Sequence, residues 1–182
     1  LVFRQTGRMT IRINHECAGT WFTHNKRFTY EQVGKFFAHF SDIIHQEAPN
    51  VRTVFCAGFA QADGKLEKED EFAVAYRAAD VWSADCYLAL HYGWPYDVAE
   101  VGGGQYKADS VGMYYDMFRR TYERASSQFG CKPLVTAEFN TDGDVTGPRH
   151  QGESVIRFAE TFRDHKADWF KAISLYQFRD RG

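Results

Sequence analysis

The 182-residue sequence predicts an α/β fold in which parallel strands alternate with helices. Short runs rich in β-branched and aromatic residues alternate with longer segments whose apolar residues recur at helical spacing, which is the order of βα units. Polar and charged residues stand at the C-terminal ends of several predicted strands, where the active sites of (β/α)8 barrels lie. No glycine-rich phosphate turn follows the first strand. We therefore expect a (β/α)8 TIM barrel rather than a doubly wound sheet.

The first predicted strand, Met9–Glu16, is amphipathic. Its aliphatic residues share one face, because successive side chains of a strand point to opposite faces. In a barrel the other face points to the axis, and it would carry the polar residues Thr10, Arg12, Asn14 and Glu16. The same alternation turns His15 outward, although a distorted strand end would leave its direction open.

The later elements repeat the βα order. The predicted helices are Tyr30–Glu47, with a capping box at Thr29 and Gln32, and Glu71–Ala79, Ser110–Phe129 and Glu153–Lys166. The predicted strands are Val51–Gly58, Val81–Leu88, Lys132–Phe139 and Ala172–Phe178. An eight-stranded barrel typically has about 250 residues, so we expect residues 1–182 to form a single, incomplete catalytic domain. About three βα units should then precede Leu1, and this missing N-terminal part of the barrel is an expected partner of the chain.

Composition narrows the classes of partner. The net charge is −2, and 44% of the residues are hydrophobic. Because there is no basic stripe, a nucleic-acid partner is not expected, and without a run of about 18 apolar residues no membrane span is expected. None of the 4 cysteines forms a Cys-x-x-Cys pair, so we expect no metal and no cofactor. Buried free thiols are the favoured state of these cysteines, and disulfides are the alternative.

Two glutamates stand at the ends of predicted strands. Glu138 ends its strand as Glu16 ends the first. Either residue alone is most simply a salt-bridged residue at a strand end. Together, with aromatic loops at the same rim, they match the pair that glycoside hydrolysis requires, in which one carboxylic acid protonates the leaving oxygen and the other carboxylate attacks the anomeric carbon or activates water.

Recognisable residues surround both glutamates. Segment 12–16 reads RINHE and segment 19–22 reads GTWF, which resembles the Arg-x-x-His-Glu and Gly-x-Trp-Phe pattern of glycoside hydrolase family 26, a family of retaining β-glycanases in clan A. The resemblance implies that Glu16 is the acid/base at the end of barrel strand four, so that the chain covers about strands 4 to 8. It also implies that Glu138 is the nucleophile on strand seven. Tyr87, in a strand-six Asp-x-Tyr motif, would then hydrogen-bond the nucleophile.

The resemblance further implies which side chains hold the sugar. Aromatic rings present apolar faces on which pyranose rings stack, and the loops place several of them at the barrel rim. Tyr176 stands where the family usually has a tryptophan at the end of strand eight. The expected substrate-binding residues are Arg12, His15, Trp21, Phe22, Asp85, Tyr87, His91, Trp94 and Tyr176.

The expected substrate is a β-linked polysaccharide of the β-mannan, β-glucan or β-xylan type, cleaved internally with retention. The resemblance places the enzyme outside the cell or at its surface. Two alternatives remain open: an exo-acting glycosidase of the same clan, and a barrel that binds glycan without cleaving it. We expect partial burial and the charge of Glu138 to raise the pKa of Glu16, because Glu16 must carry a proton to act as the acid.

Overall fold

The computed structural model describes residues 7–88, 90–92, 98–100, 111–141 and 148–176. Its helices are α1 (Thr23–Arg27), α2 (Tyr30–Glu47), α3 (Ala73–Ala78), α4 (Val111–Phe129) and α5 (Pro148–Asp164). Its strands are β1 (Met9–Arg12), β2 (Val51–Phe59), β3 (Val81–Tyr87), β4 (Leu90–Tyr92), β5 (Val98–Glu100), β6 (Leu134–Asn140) and β7 (Phe170–Leu175).

The larger sheet has five strands in the order β1-β2-β3-β6-β7, and β4 and β5 form a separate antiparallel pair. Every pairing in the larger sheet is parallel, and helices connect its successive strands along the chain. The five strands curl into a half-barrel. The α/β fold with parallel strands is therefore confirmed, whereas the rank of these strands as 4 to 8 of a barrel stays a prediction.

Aromatic rings fill the layer between the sheet and its helices. The ring of Phe55, on β2, lies 4.7 Å from that of Phe37 on α2, and 5.3 and 5.0 Å from those of Phe72 and Tyr76. Because side chains alternate along a strand, Phe55 faces the helices and the adjacent Cys56 faces the opposite side of the sheet. One face of the sheet is thus used for packing, and the other is left to the polar residues of the site.

Local signals explain where two helices begin. At α2 the Thr29 hydroxyl accepts the Gln32 N–H at 3.2 Å, and the Gln32 side chain accepts the Thr29 N–H at 2.9 Å, which is the predicted capping box. Helix α5 begins at Pro148, earlier than the predicted Glu153. Proline suits this position because its fixed φ is helical and the N–H that it lacks has no partner in the first turn.

The other differences from the predicted elements concern short segments and the ends of strands and helices. The helix α1 and the pair β4–β5 were not predicted, since segments of 5 and 3 residues are too short to show a period. Strand β6 begins at Leu134 rather than Lys132, and α3 begins at Ala73 rather than Glu71. Strand β7 begins before the predicted Ala172 and ends at Leu175; the rest of its predicted range after position 176 lies outside the described residues.

All four cysteines are free thiols, and three of them, Cys17, Cys56 and Cys86, are buried as expected. The prediction of burial is wrong for Cys131, which is exposed. It follows Gly130, whose φ of 84° accompanies the end of α4, and so it lies in the loop that leads to β6. Among the helices of the described residues, none has the length and apolar character that crossing a bilayer requires.

Candidate active site

A turn after β1 brings Glu16 to the C-terminal edge of the sheet. The φ of Glu16 is 39°, in the left-handed region, which costs about 1–3 kcal/mol for a residue other than glycine and is found most often at functional sites. Beyond it, Cys17 N–H donates to Cys56 O at 3.1 Å, and Ala18 N–H donates to Ala57 O at 2.6 Å. These bonds to β2 hold Glu16 beside the end of that strand.

The alternation predicted for this segment is wrong beyond Arg12, where β1 ends. Asn14 has a φ of 61° and is exposed, although the strand pattern placed it on the axis face. His15 turns toward the polar face instead of outward, and its Nδ1 lies 2.7 Å from Glu138 Oε1. Left-handed backbone breaks the two-residue period, so consecutive residues here can serve the same site.

Glu138 is held by donors on both of its oxygens. The Arg12 guanidinium donates to Oε1 and also contacts His15 Nδ1. The hydroxyl of Tyr87 donates to Oε2 at 3.0 Å, which is the hydrogen bond expected from the sequence. These contacts orient the carboxylate and stabilise its negative charge. Burial lowers the pKa of His15, with the charge of Arg12 acting in the same direction and that of Glu138 against it.

Glu16 and Glu138 face each other across a short gap. One oxygen of Glu16, one oxygen of Glu138 and one ring nitrogen of His15 lie within 4.8 Å of one another. Both glutamates are buried, with 5% and 4% of their surface exposed. The sequence singled out these two carboxylates although they lie 122 positions apart (138 − 16). The structure brings them together.

The two carboxyl groups have different electrostatic surroundings. Burial, together with the charges of Asp85 and Glu138, raises the pKa of Glu16 to about 7, and the charge of Arg12 opposes them. Burial and the charge of Glu138 were expected to raise this pKa. The contribution of Asp85 was not expected. Glu16 has no ion pair with a lysine or arginine among the described residues, whereas Glu138 accepts from Arg12. Glu16 is thus suited to hold a proton near neutral pH.

Asp85 lies beneath this pair and supports Arg12. It is fully buried, and Arg12 Nη1 lies 3.3 Å from each of its carboxylate oxygens. Burial raises the pKa of Asp85 to about 7, although the charge of Arg12 beside it acts in the opposite direction. Asp85 was expected to bind substrate. In the structure its partner is Arg12, which in turn holds Glu138, so its position suits support of the site from within the protein.

The raised pKa of Glu16 predicts a pH-dependent stability difference between the wild type and Glu16→Gln. Native Glu16 binds its proton more tightly than the unfolded chain does, so its favourable contribution is complete below the unfolded pKa of 4.5 and is lost as the pH rises through about 7. The free energy of unfolding of E16Q, relative to that of the wild type, should increase by about 3 kcal/mol between about pH 4 and about pH 8. Urea unfolding at several pH values measures this difference.

The matched control for that experiment is Glu153→Gln, which makes the same substitution on the exposed surface of α5, where Glu153 pairs with Arg149. Its stability relative to the wild type should change little over the same range, since exposed ion pairs contribute about 0–1 kcal/mol. A pH-independent difference for E16Q would contradict the raised pKa.

The aromatic residues of segment 19–22 lie beside the glutamate pair. Trp21 is 59% exposed, so the face of its ring is open to a ligand. Gly19 permits this position, because a Cβ there would lie 2.9 Å from ring atoms of Trp21. The Phe22 ring contacts that of His15 edge-on at 5.2 Å and stacks on that of His24 at 5.5 Å, so Phe22 supports the His15 ring.

The structure describes the remaining predicted binding residues only in part. Tyr176 is 40% exposed, and its ring lies 6.5 Å from that of Tyr87, which puts it at the edge of the site next to Glu138. His91 lies in β4, but its side chain is not among the described ones, and Trp94 lies outside the described residues.

Sequence reasoning missed one carboxylate at the same edge, that of Glu67. The segment 61–70 was predicted to be a polar loop, but the Oε2 atom of Glu67 accepts the N–H of Phe59, at the end of β2, at 3.2 Å. A glutamate in a polar loop has no periodicity that distinguishes it from its neighbours, so only the folded chain reveals this contact.

The cluster of His15, Glu16 and Glu138 also has the donor atoms that metal ions accept. The guanidinium of Arg12, however, contacts both His15 and Glu138. A permanent positive charge at this position opposes the binding of a second cation. The arrangement therefore favours chemistry performed by the carboxyl groups themselves.

Comparisons with known proteins locate this fold among glycoside hydrolases. No protein-family model matches the sequence, and no curated protein matches it. A family 51 α-L-arabinofuranosidase from Bifidobacterium longum is similar in structure, with a TM-score of 0.61 and 13% identity over 92% of this chain and 37% of that one. A Bacteroides uniformis β-glucuronidase has a TM-score of 0.58 and 11% identity over 93% of this chain and 19% of that one.

A third similar structure is the endo-1,4-β-mannanase from Rhizomucor miehei, with a TM-score of 0.51 and 14% identity over 90% of this chain and 42% of that one. The chain thus spans less than half the length of each of these three proteins. None of these findings singles out family 26. The identities are low, so what they show is the fold: the described residues form part of a TIM barrel like those of these glycoside hydrolases.

Proposed function

We propose that this chain carries the catalytic centre of a retaining β-glycanase. The observation that supports this most strongly is the pair of buried carboxyl groups, Glu16 and Glu138, with oxygens within 4.8 Å of each other. Retaining enzymes place their carboxyl groups about 5–5.5 Å apart, whereas inverting enzymes need about 6.5–9.5 Å to admit a water molecule between carboxylate and sugar. This close approach of one oxygen from each residue favours direct attack of a carboxylate on the sugar over attack by an intervening water.

In the proposed reaction Glu138 attacks the anomeric carbon while Glu16 transfers its proton to the leaving oxygen. The glycosidic bond breaks, and a covalent bond forms between Glu138 and the sugar. The negative charge of Glu138 disappears in this ester, so the pKa of Glu16 falls. Glu16 then accepts a proton from water, which attacks the anomeric carbon and releases Glu138. Tyr87 and Arg12 orient Glu138 for the attack and receive it again as a carboxylate.

The proposed substrate is a β-linked polysaccharide of the β-mannan, β-glucan or β-xylan type. Segment 12–22 resembles family 26, and an endo-1,4-β-mannanase is among the structurally similar proteins. The open ring of Trp21 suits stacking on a pyranose outside the catalytic position. We propose that the enzyme acts outside the cell or at its surface, where such polysaccharides occur.

A panel of polysaccharides tests this function. The protein is incubated with β-mannan, mixed-linkage β-glucan and β-1,3-xylan, and the products are analysed by size and by anomeric configuration. We expect a range of oligosaccharides with retained configuration from one of the three. Monosaccharides or disaccharides alone would favour the exo-acting alternative. Calorimetric binding without any product would favour a glycan-binding barrel, and inverted products would contradict the assignment of Glu138.

We also propose that further βα units, which complete the N-terminal part of the barrel, pack against the β1 side of this sheet. Parallel sheets are normally covered on both faces and paired at their edges. Phe36, Phe40 and Ile43 on α2 are each at least 40% exposed, which supports the presence of a neighbouring element. Hydrogen exchange tests this proposal: unprotected β1 amides in a protein that contains such units would contradict it.

A further inference from the structure

The side chain of Glu67 reaches over the end of β2. Its Oε2 occupies the space where Gly58 lacks a side chain, since a Cβ at Gly58 would collide with that atom. The same oxygen accepts the N–H of Phe59 at 3.2 Å. Tyr76 anchors the loop from below by donating to the carbonyl of Glu67 at 2.6 Å. Glu67 is therefore held at a defined place at the edge of the sheet.

That place is on the Glu16 side of the site. Ala18, two residues after Glu16, bonds to Ala57 of β2, and Gly58 follows directly. Glu67 also contributes to the electrostatic field that raises the pKa of Glu16. In the order β1-β2-β3-β6, the strand β2 borders β1, while Glu138 is two strands further on. The Glu67 carboxylate thus lies at the Glu16 side of the site.

The second oxygen of Glu67 has no hydrogen-bond partner among the described residues, and the side chain is half-buried. That oxygen is not among the solvent-excluded atoms without a partner, so a ligand can reach it, and partial burial of the side chain raises the pKa of Glu67. A ligand that supplies a hydroxyl donor would satisfy it. Sugars carry such donors on every ring, whereas an aromatic leaving group carries none in the same position.

We propose that Glu67 Oε1 accepts a hydrogen bond from a hydroxyl of the leaving sugar, and so selects oligosaccharides over glycosides with a non-sugar leaving group. This inference rests on the proposed function, because Glu16 defines the leaving-group side only if it is the acid. Glu67 is then a specificity residue that touches substrate, while Glu16 and Glu138 perform the chemistry.

The test is Glu67→Gln. Glutamine keeps an oxygen for the Phe59 N–H, but its amide group presents a donor to the site instead of an acceptor. We expect kcat/KM to fall about 10- to 100-fold for β-1,4-mannohexaose. The fall should be at least about tenfold smaller for 4-nitrophenyl β-mannotrioside, whose leaving group has no hydroxyl. Equal losses on both substrates, or no loss on either, would overturn the proposal.

A binding measurement separates this inference from the proposed function. In the Glu138→Gln background, the affinity for β-1,4-mannohexaose is measured by calorimetry with and without Glu67→Gln. A tenfold or greater loss supports the role of Glu67 even if the wild type never cleaves this sugar, and an unchanged affinity overturns it. The control is Glu69→Gln on the same loop, where Glu69 pairs with Arg124; it should alter thermal stability but not the ratio between substrates.

Discussion

Glu138→Gln is expected to lower turnover on every β-glycan that the protein cleaves by at least about 10⁴-fold, because the nucleophile itself is lost. Binding should persist, since the glutamine introduced by this substitution keeps the shape of the side chain and an oxygen that accepts from Arg12. Initial rates and calorimetric affinities for one oligosaccharide measure both quantities. A fall in turnover with near-normal affinity distinguishes lost chemistry from a disrupted fold.

The assignment of Glu138 is tested further by trapping. A 2-deoxy-2-fluoro glycoside with a good leaving group should form a stable ester with the nucleophile, and mass spectrometry of the digested protein should find the label on Glu138. Glu153→Gln, an exposed control, should retain full turnover. Substantial activity of E138Q, or a label on another residue, would remove Glu138 from the role of nucleophile.

Glu16→Ala is expected to reduce turnover of oligosaccharides by about 10²–10⁴-fold, the usual contribution of a general acid or base. The loss should depend on the leaving group. A dinitrophenyl glycoside leaves without a proton, so its first step should remain fast and the glycosyl ester on Glu138 should accumulate. Added azide should then restore turnover, because it attacks the ester without help from a base, and the product should be a β-glycosyl azide.

The pH dependence identifies the same residue independently. The pKa of Glu16 is about 7 in the free protein, and the acid must carry its proton, so kcat/KM of the wild type should fall as the pH rises through about 7. This alkaline limb should disappear from the residual activity of E16A on the same oligosaccharide. If the limb persists, or if azide restores nothing, another group is the acid.

The sequence alone determined the fold class and the identity of the candidate pair. The helical period and the capping box at Thr29 are local properties of the chain, and α2 was predicted with its observed bounds, Tyr30–Glu47. Glu16 and Glu138 stood out because each ends a strand pattern, and parallel strands bring their C-terminal ends to one edge. A physical rule thus connects positions far apart in the chain without knowledge of any distance.

Tertiary structure alone decided how the pair is arranged and which groups surround it. The turn at Asn14 and Glu16 depends on bonds to β2 that no local pattern reveals, and it decides the direction of His15, which the sequence left open. Burial of Asp85 beneath Arg12 likewise arises from packing between strands that are distant in sequence. The approach of Glu67 requires the missing side chain at Gly58. Local propensity acts over a few residues, whereas burial and electrostatic fields depend on every element that surrounds a group, which is why the chemistry of Glu16 could be read only from the folded chain.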